Sequence, residues 1–203
     1  MEINGEFPET EGTKTLRSIL DKNGSDKGSY HNYDLVYGHI LSQRDGIVKN
    51  ILEIGLGTNN TDTVSNMGVN GTPGASLRAW RDYLPNVNVV GCDIDSRILF
   101  EEPRIHTYHL DQTSDDSWNS LVSKLEENKF DLIIDDGLHA PVANLRSVIY
   151  SLNLLKKNGV LVIEDVAIQS IPIWKATLPL IADCYSGYIV KTKRAFLVVL
   201  TKI

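Results

Sequence analysis

The sequence predicts one α/β domain built on a doubly wound, mostly parallel sheet of seven strands that closes with a C-terminal antiparallel hairpin. Three observations carry this. From residue 50 onward, short apolar runs alternate with segments of helical period. Acidic residues and one Gly-x-Gly turn follow the ends of those runs. Residues 187–202 then break the alternation with two strand-like runs joined by a short turn. A chain of 203 residues fits one large domain, which buries roughly 70% of its unfolded surface without staples.

Residues 13–21, with Leu16, Ile19 and Leu20, and residues 30–44, with Leu35, Val36, Ile40 and Leu41, have helical spacing. They flank a polar joint, Asn23–Gly28. This predicts a helical cap over residues 1–45 ahead of a core over residues 46–203, the two forming one compact unit. In the core, Ile51–Ile54, Val87–Cys92, Ile105–Leu110, Phe130–Ile134 and Val160–Ile163 suit parallel strands buried on both faces. Ala75–Tyr83, Ser117–Glu127 and Val142–Leu155 suit the intervening helices. In the last of these, Leu145, Val148, Ile149, Leu152 and Leu155 are expected to form the buried face, with Pro141 in the first turn. Gly187–Thr192 and Phe196–Lys202 form the hairpin, so one strand must run against the others.

Composition excludes several classes. The net charge is −6, and Lys191-Thr192-Lys193-Arg194 is too short to track a phosphate backbone and reads as a hairpin turn. Nucleic acid is therefore not expected as a partner. No apolar run approaches the roughly 20 residues of a membrane span, and the N-terminus has no signal-peptide pattern. Two cysteines, Cys92 and Cys184, are too few for a disulfide framework, so a cytoplasmic setting is expected.

Glu53-Ile54-Gly55-Leu56-Gly57 ends the first core strand. Its glycines allow a sharp turn and close approach to a ligand. A dinucleotide fingerprint would place a third glycine at position 60, where Asn60 stands, and would start a helix at once. Here the polar stretch Thr58–Gly74 intervenes. That disfavours an NAD-linked oxidoreductase, which is retained as the alternative together with a cofactor-binding protein that performs no catalysis. Glu53 beside the turn suits a ligand carrying an amine, as the methionine end of S-adenosylmethionine does. Asp93, after the second core strand, is placed to accept ribose hydroxyls, and Asp95 to cap the next turn. Asp111 follows the third strand, near where an adenine amino group would lie. Each acid alone could be an ordinary loop residue; three at successive strand ends point to a ligand crevice.

Asp136 follows the fourth strand, and Glu164 and Asp165 follow the fifth. Adjacent parallel strands would bring these carboxylates together, where a hard cation such as Mg²⁺ would relieve their repulsion. The alternative is helix capping and solvation. His139, three residues past Asp136, is placed as a general base toward an acceptor hydroxyl, with an ordinary helix-start histidine as the alternative.

With these residues in hand, the chain resembles the metal-dependent sugar O-methyltransferases of macrolide biosynthesis, the mycinamicin type, within the class I S-adenosylmethionine-dependent methyltransferases. The resemblance lies in Ser25-Asp26-Lys27-Gly28 with Tyr33, Leu52-Glu53-Ile54-Gly55, and Gly74–Trp80 with Asp82-Tyr83. It is most specific in Ile134–His139 with Ile163-Glu164-Asp165. It implies a Rossmann-like methyltransferase fold, S-adenosylmethionine as methyl donor and a small-molecule hydroxyl acceptor, with a homo-oligomer possible. It also implies Asp136, Glu164 and Asp165 as ligands of a divalent metal, expected to be magnesium, and His139 as base. Lys27 and Ser76 fall near the methionine end, and Asp135 is counted with the cofactor residues. Two departures bear on the substrate: the extended Thr58–Gly74 loop, and the lack of the long N-terminal domain that some members carry.

Overall fold

A computed structural model describes residues 2–3, 7–44, 46–125 and 129–203, the first two by backbone alone. The elements run β1 (Glu2–Ile3), α1 (Glu11–Asn23), α2 (Tyr33–Ser42), β2 (Asn50–Ile54), α3 (Ala75–Tyr83) and β3 (Asn88–Asp93). They continue with β4 (Glu101–Glu102), β5 (Ile105–His109), α4 (Asp115–Leu125), β6 (Phe130–Asp135) and α5 (Pro141–Leu154). β7 (Leu155–Val166), α6 (Ile171–Leu180), β8 (Tyr185–Lys191) and β9 (Phe196–Lys202) complete the chain. The end of the helix expected at Ser117–Glu127 lies outside the described residues.

The strands form one sheet in the order β1-β8-β9-β7-β6-β2-β3-β5-β4. Among the described residues, seven strands have five or more residues, as expected; β1 and β4, two residues each, extend the edges to nine. β2, β3, β5, β6 and β7 are mutually parallel neighbours, whereas β9 runs antiparallel to both β7 and β8.

Period-two alternation divides the core into two layers. Leu132, Ile134, Val160 and Val162 pack beneath α1, α2 and α3 with Leu16, Tyr37 and Trp80. Ile133, Leu161 and Ile163 face the opposite layer, with Trp118 of α4, Val148 of α5 and Trp174 of α6. Both faces are covered, which is why these strands read as unbroken apolar runs. α1 begins at a reciprocal cap, in which the Thr13 amide donates to Thr10 Oγ1 and the Thr10 amide donates to Thr13 Oγ1. It ends at Gly24, whose φ of 84° suits a residue without Cβ.

Two expectations need correction. The buried face of α5 is Ala143, Asn144, Ser147, Val148, Ser151 and Leu154, while Ile149 is 61% exposed. Polar residues go inward because the fold buries polar partners there: Asn144 donates to Asp135, and the Ser151 hydroxyl pairs with Tyr185. α6 was not anticipated. Its sequence, Ile-Pro-Ile-Trp-Lys-Ala-Thr-Leu-Pro-Leu, has no polar stripe and carries Pro172 and Pro179; only Pro172 near its start was a helix signal.

Candidate active site

Register brings the C-terminal ends of β3, β2, β6 and β7 level, with Ile54 opposite both Cys92 and Asp135, and Asp135 opposite Ile163. A crevice of about 610 Å³ runs along that edge, lined by Gly55, Gly57, Asp93, Asp111, Gln112 and Asp136 among others. Gly55, at φ 92°, brings the β2 turn so near the β6 loop that a Cβ would lie 2.0 Å from the Asp136 carbonyl oxygen. No other residue fits there. Asp93 accepts from the Leu56 and Asp95 amides (2.7 and 2.8 Å), which holds the glycine turn against β3. Burial pushes its carboxyl up, and these backbone donors oppose the rise. Asp95 accepts from the Arg97 amide, as a cap should, and also from Thr58 and Asn60 of the loop. Asp111 accepts from the Thr113 amide and hydroxyl, which lower its pKa.

Behind the crevice lies a buried charged layer. Lys27, 1% exposed, places its Nζ 2.5 Å from Asp136 Oδ2, 2.6 Å from Glu164 Oε2 and 3.4 Å from Glu53 Oε1. Burial alone would lower the Lys27 pKa; the three carboxylates hold it well above the ordinary lysine value. Burial pushes Glu164 well up and Glu53 up, with Lys27 opposing both rises. Glu53 also accepts from Ser76 Oγ (2.6 Å) and Trp80 Nε1 (2.7 Å). The other Glu164 oxygen accepts from the Tyr37 hydroxyl. Tyr33, one helical turn earlier on α2, donates to Asp165 Oδ1 at 2.6 Å.

Asp136, His139 and Asp165 each offer one donor atom, all within 4.8 Å of one another. His139 Nε2 lies 4.0 Å from Asp136 Oδ1, and its buried Nδ1 has no hydrogen-bond partner among the described residues. Both His139 (φ 56°) and Asp165 (φ 49°) have left-handed backbone conformations that cost a side-chain-bearing residue about 1 kcal/mol or more each. The register shift between Ile163 and Val166 in the β7–β9 pairing is the local cause at Asp165. A bulge there turns Asp165 out of the strand alternation and into the crevice.

The structure therefore gathers Gly55, Gly57, Asp93, Asp111, Asp136, His139 and Asp165 on one crevice. Lys27, Glu53, Ser76 and Glu164 stand one layer deeper. Glu164 lies outside the Asp136–His139–Asp165 group, and its oxygens accept from Lys27 and Tyr37. Asp135 is placed away from the crevice: fully buried, it accepts from Gln112 Nε2 (2.7 Å) and Asn144 Nδ2 (3.0 Å) toward α5. Sequence reasoning missed Gln112, Trp80 and Tyr37 as partners. The Tyr33–Tyr37 spacing, i and i+4 on a helix, was the available sign that both point the same way.

No family model matches the sequence. The chain is 32% identical over 153 residues to the 8-demethyl-8-α-L-rhamnosyl tetracenomycin-C 2'-O-methyltransferase of Streptomyces olivaceus, covering 74% of this chain and 37% of that protein. It is 33% identical over 159 residues to the L-olivosyl-oleandolide 3-O-methyltransferase of Streptomyces antibioticus, covering 77% and 38%. The chain thus spans less than two fifths of the length of these relatives. Its fold is similar to that of a methyltransferase from the mycinamycin biosynthetic pathway, solved with Mg, S-adenosylhomocysteine and mycinamycin VI. The TM-score is 0.73 at 21% identity, over 93% of this chain and 54% of that one. The parallel core, the antiparallel β9 and the sequence relatives agree: the chain has the class I S-adenosylmethionine-dependent methyltransferase fold and is similar to macrolide-sugar O-methyltransferases of the mycinamicin type.

Proposed function

We propose that the chain is an S-adenosylmethionine-dependent O-methyltransferase that acts, with a divalent cation, on a hydroxyl of a glycosylated small molecule. The observation that carries this reading is the continuity of the glycine-turn crevice with the Asp136–His139–Asp165 cluster along one sheet edge. The two relatives are named for O-methylation of rhamnosyl and olivosyl compounds, which supports a sugar as acceptor. Two free cysteines, Cys92 and Cys184, suit a reducing, cytoplasmic setting.

The donors fit a metal ion. Asp136 and Asp165 offer hard carboxylate oxygens to such an ion, while His139 beside them, with its Nδ1 unpaired among the described residues, stays off the metal and free to take a proton. A Mg²⁺ held there would make a nearby acceptor hydroxyl easier to deprotonate. Tyr33 orients Asp165 through its hydroxyl, and Lys27 orients Asp136. Asp93 and Asp111 would hold the nucleoside end of the methyl donor, and the turn at Gly55 and Gly57 would let backbone approach it closely. His139 then accepts the acceptor's hydroxyl proton as the oxygen bonds to the methyl carbon. The C–S bond would break with its electron pair left on sulfur, so the sulfonium becomes the neutral thioether of S-adenosylhomocysteine. Orientation and fixed charges supply most of the rate.

Chelator should abolish methyl transfer while calorimetric binding of S-adenosylhomocysteine stays nearly intact, and Mg²⁺ or Mn²⁺ should restore turnover. Full turnover in excess chelator would remove the metal from the reading, and no binding at millimolar S-adenosylhomocysteine would remove the methyl donor.

A further inference from the structure

A second cavity, of about 560 Å³, opens beside the crevice and shares Asp26, Met67, His139 and Asp165 with it. Its remaining lining is Tyr30, His31 and Asn66. His31 is buried to 9% exposure, and its Nδ1 has no hydrogen-bond partner among the described residues. That atom lies 3.7 Å from Asp165 Oδ1, too far for a hydrogen bond, and Nε2 lies 3.4 Å from Asp26 Oδ2. A buried polar nitrogen left unpaired costs stability unless something else pairs with it.

The imidazole cannot readily turn to find such a partner within the protein. It stacks on Tyr33 at 4.8 Å and meets the Tyr30 ring edge-on at 4.8 Å. The backbone beneath it is held by the β8–β9 turn. The Lys193 amide donates to Asn32 Oδ1 (2.8 Å), Lys193 Nζ to the Ser29 carbonyl (3.2 Å) and Arg194 Nε to the Tyr30 carbonyl (3.2 Å). The Arg194 guanidinium also sits 3.9 Å over the Tyr30 ring. A cavity-lining side chain that carries a desolvated, unpaired nitrogen is suited to recognising a ligand polar group.

We propose that His31 determines acceptor specificity, pairing through Nδ1 with a second hydroxyl next to the one that is methylated. The inference rests on the proposed sugar O-methylation and deepens it. The preferred acceptor is a polyhydroxylated ring with neighbouring free hydroxyls, one facing His139 and the other facing His31 across the Asp165 carboxylate. Met67 supplies an apolar contact for the ring from the loop side. Because Asp165 stands between the two imidazoles, one acceptor geometry satisfies both.

Methyl α-L-rhamnoside and its 2-, 3- and 4-deoxy analogues, assayed with S-adenosylmethionine and Mg²⁺, test this with the wild type, His31→Leu and His31→Asn. In the wild type one deoxy analogue should be inert, having lost the reacting oxygen, and a neighbouring one should show kcat/KM lower by about 5–10-fold. His31→Leu should lower kcat/KM for the full rhamnoside by the same factor and no longer distinguish that second analogue. His31→Asn, with an amide near the Nδ1 position, should recover part of the discrimination. The S-adenosylhomocysteine-induced melting shift should be the same in all three proteins, which reports that the fold and crevice are intact. If His31→Leu keeps the wild-type discrimination, or loses activity equally on every analogue, the inference fails while the sugar methylation stands. If the wild type methylates none of the glycosides, the sugar reading itself fails and the role of His31 falls with it.

Discussion

Replacing Lys27 with methionine tests the buried charged layer directly. The substitution keeps the volume and unbranched shape of the side chain and deletes the cation that bridges Glu53, Asp136 and Glu164. Breaking a buried ion pair from one side costs about 3–5 kcal/mol, because the partner charge is left unpaired. In a domain of this size each kcal/mol moves the melting temperature by roughly 2–4 °C, so a loss of roughly 6–20 °C at pH 7 is expected. Burial already raises the pKa of Asp136, Glu53 and Glu164, and without Lys27 it rises further. The sign follows from linkage. A carboxyl whose folded pKa exceeds its unfolded value, about 4.3 for Glu, is penalised above the folded pKa and relieved as pH falls toward the unfolded one. The deficit of Lys27→Met should therefore shrink between pH 7 and pH 5. Adding Glu164→Gln, which removes one orphaned charge, should recover part of the stability at pH 7. Calorimetric melts of the wild type, the single and the double variant across that range provide the measurement. A single variant melting within about 2 °C of wild type, or a deficit that grows toward pH 5, would refute the account of this layer.

S-adenosylhomocysteine at about 100 times its Kd should raise the melting temperature by the equivalent of roughly 2.7 kcal/mol, or about 5–11 °C, and Asp93→Asn should reduce the shift at the same ligand concentration. His139→Ala should lower turnover by about 10²–10⁴-fold if the imidazole is the base, and full activity in that variant would remove it from the mechanism. His139→Gly should be as inactive yet melt about 2–4 °C above the alanine variant, since glycine relaxes the φ of 56°; equal melting would show no strain there. The loop Thr58–Gly74 exposes Val64, Met67 and Val69 and meets the body through Asn60 on Asp95 and Asp62 on Arg97. Limited proteolysis should cut it more slowly with S-adenosylhomocysteine bound, and equal cutting rates would end the idea of ordering over the ligand.

What could be read in the sequence follows from what each feature depends on. Phe130–Asp135 was legible because both faces of the sheet are covered, so burial alone dictates an apolar run. The acids Asp93, Asp111 and Asp136 were legible because strand ends in a parallel sheet share one edge. The two-residue strands β1 and β4 carry too few side chains to show a period. The inward polar face of α5 depends on Asp135 and Tyr185, partners on other elements that no local pattern announces. The same is true of Glu164, expected as a third ligand beside Asp165: no local pattern announces its contacts to Lys27 and Tyr37. Neighbours along a strand point to opposite faces, and only the bulge and the reach of Lys27 from 137 positions away decide where each goes.

The β8–β9 turn has a consequence for the order in which the molecule assembles. The crevice that would hold the methyl donor draws largely on residues 54–139, so most of its walls can come together once the sheet has formed from β2 to β6. The wall carrying His31 is different, because its hydrogen bonds to Lys193 and Arg194 join positions 161–164 residues apart. Closing so long a span is slow relative to local pairing. During refolding, competence to bind S-adenosylhomocysteine should therefore appear before the His31 wall is rigid.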